Sequence, residues 1–272
     1  MEVYHYLNLQ DNYVVAFVDI LGFSEIVRNN AETSWMDNTK NGLGINLENV
    51  FNNVCGQYTL QNPEEKGVKF LWVSDSIVLS CRKEKINKLL EELEWVLNQL
   101  YCAEVGFRGG IAVGKLFHEL NIWGTAMVEA VDLEKKANYP CIVIKKYDFK
   151  QLDIEVGYSS FFISHPNCEN LLFYNYFAAW FARQISQSKS VWSYLSVYTG
   201  LIKRNFDECR KDDHKRKWSF LAKQLVSVIN DNLQYIYDER KKAIAQNDGS
   251  EKRHLLPEEY IEIVSEAFEF GD

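Results

Sequence analysis

The sequence predicts an α/β (α+β) fold: a mixed or antiparallel sheet flanked by helices, followed by an all-helical C-terminal extension. Three observations carry this prediction. The unbroken apolar run at 14–18 is typical of a buried strand. Two further apolar runs surround residues 74–76 and indicate a β-hairpin. From about residue 165 onward, four segments separated by polar turns favour helix.

The composition describes an ordinary soluble globular protein. The chain has 272 residues, 47% of them hydrophobic and 25% charged, enough for one large domain or one domain with an extension. Its net charge of −8 gives no general attraction to nucleic acid or to anionic lipid. We therefore expect neither a nucleic-acid partner nor a membrane partner.

Several features point to the cytoplasm. Residues 1–13 are polar and mixed, unlike a signal peptide, and the apolar stretch at 171–182 is too short for a membrane span. The six cysteines are scattered and form no C-x-x-C pair, so we expect reduced thiols.

The elements follow in a definite order. A strand ending at Asp19 leads into a helix at 23–30, a loop at 29–44 and a second helical pattern from Leu47 to Val54. After a turn at 61–67 and the hairpin at 68–81, the clearest helix covers 82–104, because its apolar residues recur at i, i+3, i+4 and i+7. The remaining predicted elements are a Gly-rich strand at 107–114, a helix at 125–138, a strand at 141–144, and helices at 169–185, 191–206, 214–239 and 257–268.

Two glycines in the strand at 107–114 indicate a close backbone approach. Gly109 and Gly110 leave room for another element or for a ligand.

Beyond residue 165 the aromatic residues are dense, and we expect them to form a helix–helix core. The predicted domains are therefore residues 1–165 and a helical extension at 166–272.

Asp19 is the first candidate for chemistry. A buried strand has no need of a carboxylate, and a charge at the edge of a core is costly unless it is paired or binds a metal. Gly22 follows closely, where a backbone can turn sharply or approach a ligand. From this stretch alone, Asp19 either caps the helix that begins near Ser24 or holds a cation. Asp75 is likewise either a turn residue or a second carboxylate.

If the strand that ends at Asp19 lies beside the hairpin that carries Asp75, both carboxylates meet at one edge of the sheet. Two carboxylates that leave positions open on Mg²⁺ or Mn²⁺ suit phosphoryl and nucleotidyl transfer. Backbone N–H groups at a helix start, here residues 21–24, would bind phosphate oxygens. This combination predicts an enzyme acting on a nucleotide.

Four motifs resemble the class III nucleotide cyclase catalytic domain and cover roughly residues 10–150. F-x-D-I-x-G-F-S at 17–24 resembles the family's first metal motif, and Lys69 followed by Asp75 resembles its hairpin, where a Lys contacts the base and an Asp binds metal. F-R-G-G-I-A-V-G at 107–114 looks like the R-x-G-I-x-x-G strand. N-I-W-G at 121–124 is similar to the D-x-W-G segment, whose acidic residue reads the base.

The resemblance implies a mechanism and a set of residues. The ribose 3′-hydroxyl attacks the α-phosphorus in line, and pyrophosphate leaves. Asp19 and Asp75, with the Ile20 carbonyl, are implied to hold two Mg²⁺ or Mn²⁺ ions. The nucleotide-binding residues implied by the motifs are Phe17, Leu21, Gly22, Phe23, Ser24, Lys69 and Asn121. A head-to-tail homodimer, with its sites at the interface, is also implied.

One departure concerns the cation that stabilises the transition state. Adenylate and guanylate cyclases carry an Asn and an Arg on the helix after W-G, whereas residues 127–133 here contain no Arg. Arg108 is the preferred catalytic candidate, with Lys135 and Lys136 as alternatives. The G-x-A-x-x-x-A-x-x-L-E pattern at 124–134 and the Tyr139–Pro140 pair instead resemble a divergent branch. That branch includes the pyrimidine (uridylate and cytidylate) cyclases of the Pycsar anti-phage defence systems.

The base-reading pair favours uracil over cytosine, since Asn121 can donate or accept and Lys69 only donates. We therefore expect residues 1–165 to convert UTP, or in second place CTP, into the 3′,5′-cyclic nucleotide and pyrophosphate. The product would act as a second messenger on a separate effector in bacterial antiviral defence. The alternatives are a purine cyclase and a degenerate cyclase-like module that binds nucleotide or a partner without turnover.

Overall fold

A computed structural model of the chain describes residues 10–30, 47–60, 67–119, 121–246 and 255–270. Within these ranges the chain forms two compact units. The first contains residues up to 100 and residues 106–174, and the second contains residues 101–105 and everything after 174.

An eight-stranded mixed sheet lies at the centre of the first unit. Its strands are β1 (Gln10–Ile20), β2 (Val68–Val73), β3 (Ser76–Arg82), β4 (Phe107–His118), β5 (Ile122–Trp123), β6 (Ile142–Lys145), β7 (Phe162–His165) and β8 (Cys168–Tyr174). They are arranged in the order β2-β3-β1-β4-β6-β8-β7, and β5 pairs with β4 beside this path. The β4–β6 pair is parallel and the other pairs are antiparallel.

Helices flank this sheet and make up the second unit. In the first unit the chain forms α1 (Phe23–Asn30), α2 (Leu47–Leu60), α3 (Ile86–Cys102), α4 (Thr125–Ala137), α5 (Lys146–Lys150) and α6 (Val156–Ser159). The second unit contains α7 (Tyr176–Ser186), α8 (Trp192–Glu208), α9 (Asp212–Asp231), α10 (Leu233–Gln246), α11 (Pro257–Ile263) and α12 (Ser265–Glu269). The predicted fold class, a mixed sheet with flanking helices and a helical C-terminal part, is confirmed.

Strand β1 is an interior strand of the sheet. It pairs with β3 on one side and with β4 on the other, so its backbone groups are satisfied from both directions. Val14, Val15, Ala16 and Val18 are fully buried, which explains the unbroken apolar run. The segment that was predicted to be a buried strand therefore lies inside the sheet and positions β3 and β4 on either side of it.

Glycines allow helix α4 to pack closely on strand β4. A Cβ atom on Gly110 would lie only 2.5 Å from the Ala130 carbonyl oxygen and 2.5 Å from the Leu133 Cβ. Gly124, which precedes α4, has a φ of 143°, and a Cβ there would lie 2.3 Å from the Lys115 carbonyl oxygen. The close approach predicted at Gly110 is thus an approach of helix to strand.

The helix predicted over 169–185 is wrong in its first part. Residues Cys168–Tyr174 form β8, which pairs with both β6 and β7, and helix begins only at Tyr176. Cross-strand pairing and burial on the sheet outweigh the local preference of this segment, which periodicity alone cannot distinguish from a buried helix. The unit that contains the sheet consequently extends to Tyr174 rather than ending at 165. Most of the predicted loop at 29–44, and the turns at 61–66 and 247–250, lie outside the described residues.

The second unit has an aromatic core. The rings of Tyr101 and Tyr176 are tilted against each other with centroids 4.9 Å apart, and Phe177 and Tyr198 lie beside both. The hydroxyl groups of Tyr176 and Tyr198 are hydrogen-bonded at 3.0 Å in this buried setting. The expectation of a helix–helix core is confirmed for the aromatics from Tyr176 onward, whereas Phe173 and Tyr174 lie in strand β8 of the first unit. Among the helices that the structure describes, none combines the length and apolar character needed to cross a bilayer.

We predict that Gly110→Ala destabilises the protein by about 1 to 3 kcal/mol, because the added methyl group meets backbone atoms of α4 that cannot move away alone. The matched control is Gly56→Ala in α2, where a Cβ meets nothing within 4 Å. That change should be neutral or stabilising by roughly 0.5 to 1 kcal/mol. Urea unfolding followed by circular dichroism measures both, and equal midpoints for the two variants would contradict the packing argument.

Candidate functional site

The two predicted metal ligands lie together at one end of the sheet. Asp19, near the end of β1, pairs with Ser76 of β3 and with Arg108 of β4. Asp75 immediately precedes Ser76 in the β2–β3 turn, and its carbonyl oxygen accepts a hydrogen bond from the Ile20 N–H at 2.8 Å. The turn is therefore attached to the end of β1, and both carboxylates belong to one cluster.

This cluster carries an excess of negative charge. The pKa of Asp19 is raised to about 6, mainly by burial and then by the nearby carboxylates of Glu134 and Asp75. Arg108 opposes the shift, with its Nη2 atom 3.9 Å from an Asp19 carboxylate oxygen. One guanidinium therefore faces three carboxylates, an arrangement that a bound cation would stabilise.

The donor set suits a hard divalent ion. Carboxylate oxygens from Asp19 and Asp75, with the backbone carbonyl of Ile20 between them in sequence, are oxygen ligands of the kind that Mg²⁺ and Mn²⁺ accept. Within the described ranges, no group of three or more His, Cys, Asp or Glu side chains is placed to enclose a metal ion. Two carboxylates and one carbonyl would leave several positions of such an ion to water or to phosphate oxygens.

The turn after β1 contributes fewer free amides than the sequence indicated. The Leu21 N–H donates to the Gly106 carbonyl oxygen at 2.9 Å, so it is already occupied. Gly22 has a φ of 74°, which lets the chain turn into α1, and its carbonyl accepts from the Ile26 N–H. Because first-turn amides have no partner within their own helix, the phosphate-binding candidates narrow to residues 22–24. Phe17 is buried in β1, two residues before Asp19.

Arg108 is placed beside Asp19 but is held by another residue. Its Nε and Nη2 atoms both contact the same carboxylate oxygen of Glu134, a buried residue of α4. Sequence analysis missed Glu134, although a Glu within the apolar stripe of a helix is a signal of a buried ion pair. The alternative cations Lys135 and Lys136 are exposed on α4, and Lys135 lies 3.8 Å from Asp132.

The predicted base-binding residues lie at the opposite end of the sheet. Lys69 pairs across the strands with Ser80, and Ser80 pairs with Val15, four residues before Asp19 on β1. The Lys69 ammonium donates to the His118 carbonyl oxygen at 2.5 Å and to the Glu119 carboxylate at 2.7 Å. Asn121 is exposed in the turn between β4 and β5, where its carbonyl accepts from the Glu119 N–H.

The predicted residues thus form two groups rather than one. Four residues of strand separate the levels of Asp19 and Lys69 by about 13 Å, and the turn that carries Asp75 lies at the Asp19 level, because Val73 and Ser76 pair beside it. We call these groups the metal end and the base end. Glu119, which sequence analysis also missed, adds a carboxylate to the base end directly beside Lys69.

Comparison with known proteins gave likenesses in structure alone. No protein-family model and no curated protein matches the chain. The adenylyl cyclase CyaB from P. aeruginosa matches 59% of this chain and 90% of its own, at 15% identity and a TM-score of 0.36. Two structures of a bacterial light-regulated adenylyl cyclase match at 13% identity with TM-scores of 0.41 and 0.37, covering 63% and 55% of this chain.

The chain spans about half the length of the light-regulated proteins, 54% and 48%. At these identities and TM-scores, the likenesses do not assign the chain to a family.

We predict that Asp19→Asn stabilises the metal-free protein at pH 7.5, raising the melting temperature by about 2 to 4 °C. The substitution removes a charge that burial and two neighbouring carboxylates disfavour. Because the folded pKa of Asp19 lies above its ordinary value, this unfavourable contribution is absent below about pH 4, grows between about pH 4 and pH 6, and is complete above about pH 6. The gain should therefore vanish in the acid range.

Thermal unfolding in the presence of a chelator, at a series of pH values, measures this effect. The control is Asp132→Asn, which changes an exposed Asp on α4 and should leave the melting temperature within about 1 °C of wild type. A lower melting temperature for Asp19→Asn at pH 7.5 would show that its carboxylate contributes to folding.

Proposed function

We propose that the chain is a metal-dependent nucleotide cyclase that converts UTP, and in second place CTP, into the 3′,5′-cyclic nucleotide and pyrophosphate. The observation that carries the proposal is the cluster of Asp19 and Asp75 at the end of a buried strand, beside the start of α1. The four cyclase-like motifs, in their order along the chain, support it. The activity resides in the unit that contains the sheet, and the cyclic product acts on a separate effector as an antiviral signal.

Asp19, Asp75 and the Ile20 carbonyl are the groups that would hold the metal ions. Their fit rests on the excess negative charge and on the all-oxygen donor set described above. Bound there, two Mg²⁺ or Mn²⁺ ions lower the pKa of the 3′-hydroxyl and neutralise charge on the triphosphate and on the leaving pyrophosphate.

The chain's own groups position the nucleotide for an in-line displacement. The 3′-oxygen bonds to the α-phosphorus while the bond from that phosphorus to the bridging oxygen of pyrophosphate breaks, and the hydroxyl proton is released to solvent. Amides of residues 22–24 donate to phosphate oxygens at the helix start. Arg108, oriented by Glu134 and adjacent to Asp19, places a positive charge near the reacting phosphate.

The separation of the two ends supports a site shared between two copies. The base and the α-phosphorus of one nucleotide are only a ribose apart, whereas the level of Lys69 lies about 13 Å along the sheet from that of Asp19. A head-to-tail homodimer brings the metal end of one protomer to the base end of its partner and forms two equivalent sites.

The base end selects among bases by hydrogen bonding. Lys69 donates to a carbonyl oxygen of the base, and the Asn121 amide donates or accepts at the neighbouring position. Uracil presents two carbonyl oxygens and one N–H, which match these groups. A base with the wrong pattern leaves polar groups unpaired and is rejected strongly.

A second candidate function is nucleotide binding without turnover. Helix α4 carries no Arg, and the guanidinium of Arg108 is already paired with Glu134. If that pairing persists with substrate bound, the site lacks a free cation for the transition state. Product analysis separates the two functions.

We predict that the protein, incubated with each of the four ribonucleoside triphosphates and Mn²⁺, forms cyclic UMP fastest. Asp19→Ala and Asp75→Ala should each lower the rate by about 100-fold or more, because each removes a ligand of the metal ions. Asp132→Asn, an exposed carboxylate on α4, should retain the wild-type rate. Mass spectrometry of the products provides the measurement.

Each other outcome has a defined meaning. A cyclic purine nucleotide as the main product would replace the pyrimidine assignment with a purine cyclase. If all four triphosphates stay intact but calorimetry shows that a nucleotide binds, the second candidate function, nucleotide binding without turnover, is supported. Intact triphosphates without binding would refute both.

We predict that Asp75→Ala and Lys69→Ala, each inactive alone, regain about a quarter of wild-type activity when mixed and re-equilibrated. Half of the dimers formed at random contain one copy of each variant, and each such dimer has one intact site of two. The measurement is cyclic nucleotide formation by the mixture against each variant alone. A mixture as inactive as its components, or a monomer in sedimentation at micromolar concentration, would contradict the shared site.

A further inference from the structure

A buried histidine connects three strands at the base end. His118, the last residue of β4, is only 6% exposed, and its Nδ1 atom lies 2.6 Å from the hydroxyl oxygen of Ser80 on β3. Ser80 is fully buried. A short hydrogen bond between two buried polar groups costs much when it is broken, because neither partner then has access to water.

The same histidine also contacts Lys69. Ser80 and Lys69 face each other directly across the β2–β3 pair, so their side chains lie on the same face of the sheet. His118 joins both members of this pair, since its ring binds Ser80 and its backbone carbonyl accepts from the Lys69 ammonium. The next residue, Glu119, supplies the second acceptor for Lys69. Two of the three contacts in this arrangement hold the lysine, and the third holds the histidine.

The His118 ring is neutral at neutral pH. Burial, and then the nearby Lys69 ammonium, lower its pKa to about 4. A neutral ring keeps one nitrogen able to accept and one able to donate, so either direction of the bond to the Ser80 hydroxyl is available. A charged ring would repel Lys69, whereas the neutral ring does not.

The geometry points to His118 and Ser80 as positioning residues that fix the Lys69 ammonium for contact with the base, an inference that rests on the proposed function. The Ser80–His118 hydrogen bond anchors the end of β4. The anchored segment presents the His118 carbonyl and the Glu119 carboxylate at a fixed place above β2. Lys69, whose side chain is about a third exposed, then holds one conformation instead of sampling several.

Chemical labelling of Lys69 tests the positioning without any need for catalysis. The protein is treated with trace acetic anhydride, and acetylation of each lysine is followed by peptide mass spectrometry. Ser80→Ala and His118→Leu should raise the Lys69 rate about five-fold, as expected when the network loses one hydrogen bond. The rate at Lys135, an exposed lysine on α4, should stay unchanged.

Two further variants exclude a general loss of structure. His118→Asn keeps a polar atom at the Nδ1 position and should restore the wild-type Lys69 rate. His165→Asn removes another buried histidine, which lies on the far edge strand β7 and whose Nε2–H donates to the Ala137 carbonyl at 2.9 Å. This change should leave the labelling rate of Lys69 unaffected. Unchanged Lys69 labelling in both Ser80→Ala and His118→Leu, or an equal rise in His165→Asn, would overturn the inference.

Kinetics then connect the positioning to the base. Ser80→Ala should raise KM for the preferred triphosphate about five-fold with kcat within about two-fold of wild type, because Lys69 contacts the base and not the reacting phosphate. Measured by calorimetry as the Kd for the triphosphate, Ser80→Ala should weaken binding in the wild-type background and have no further effect in the inactive Lys69→Ala background. An equal effect in both backgrounds would show that Ser80 does not act through Lys69. If wild type forms no cyclic product, the proposed function fails while the labelling still decides the inference.

Discussion

The structure depends on one electrostatic constraint, which is that a carboxylate lies near the end of a buried strand that is paired on both sides. Asp19 follows a fully buried segment, and burial and neighbouring carboxylates raise its pKa. Such a group is costly in the absence of a ligand. The surroundings reduce the cost only in part, because the one nearby guanidinium is bound more closely to Glu134 than to Asp19. The negative charge of the cluster is therefore only partly balanced, and this imbalance is the physical reason to expect a bound cation.

Strand register distributes the remaining chemistry. Because β1 pairs on both sides, the turn that carries Asp75 and the start of β4 that carries Arg108 are both fixed beside Asp19. The same register places Lys69 opposite Ser80, four residues farther along the sheet. The two groups cannot approach each other without breaking the sheet, so a single rigid scaffold holds two half-sites apart.

Much of this arrangement was predictable because it depends on local patterns. The apolar run of β1, the hairpin with Asp75 at its turn and the amphipathic helix α3 all follow from periodicity. Strand β8 did not, because its short apolar run adjoins helix α7 and periodicity alone does not distinguish a buried strand from a buried helix. The roles of Glu134 and Glu119 were missed for another reason, since only the packing of α4 and the end of β4 brings these residues to Arg108 and Lys69.

The double pairing of β1 has a consequence for the dynamics of the molecule. Hydrogen bonds of a central strand break only when most of the sheet opens, whereas a two-residue strand such as β5 at the end of β4 opens locally at far lower free energy. The metal end is thus as stable as the unit as a whole, whereas the base end lies beside β5, which opens locally. Amide exchange near Asp19 should follow global unfolding, while exchange around β5 should be faster because it needs only local opening.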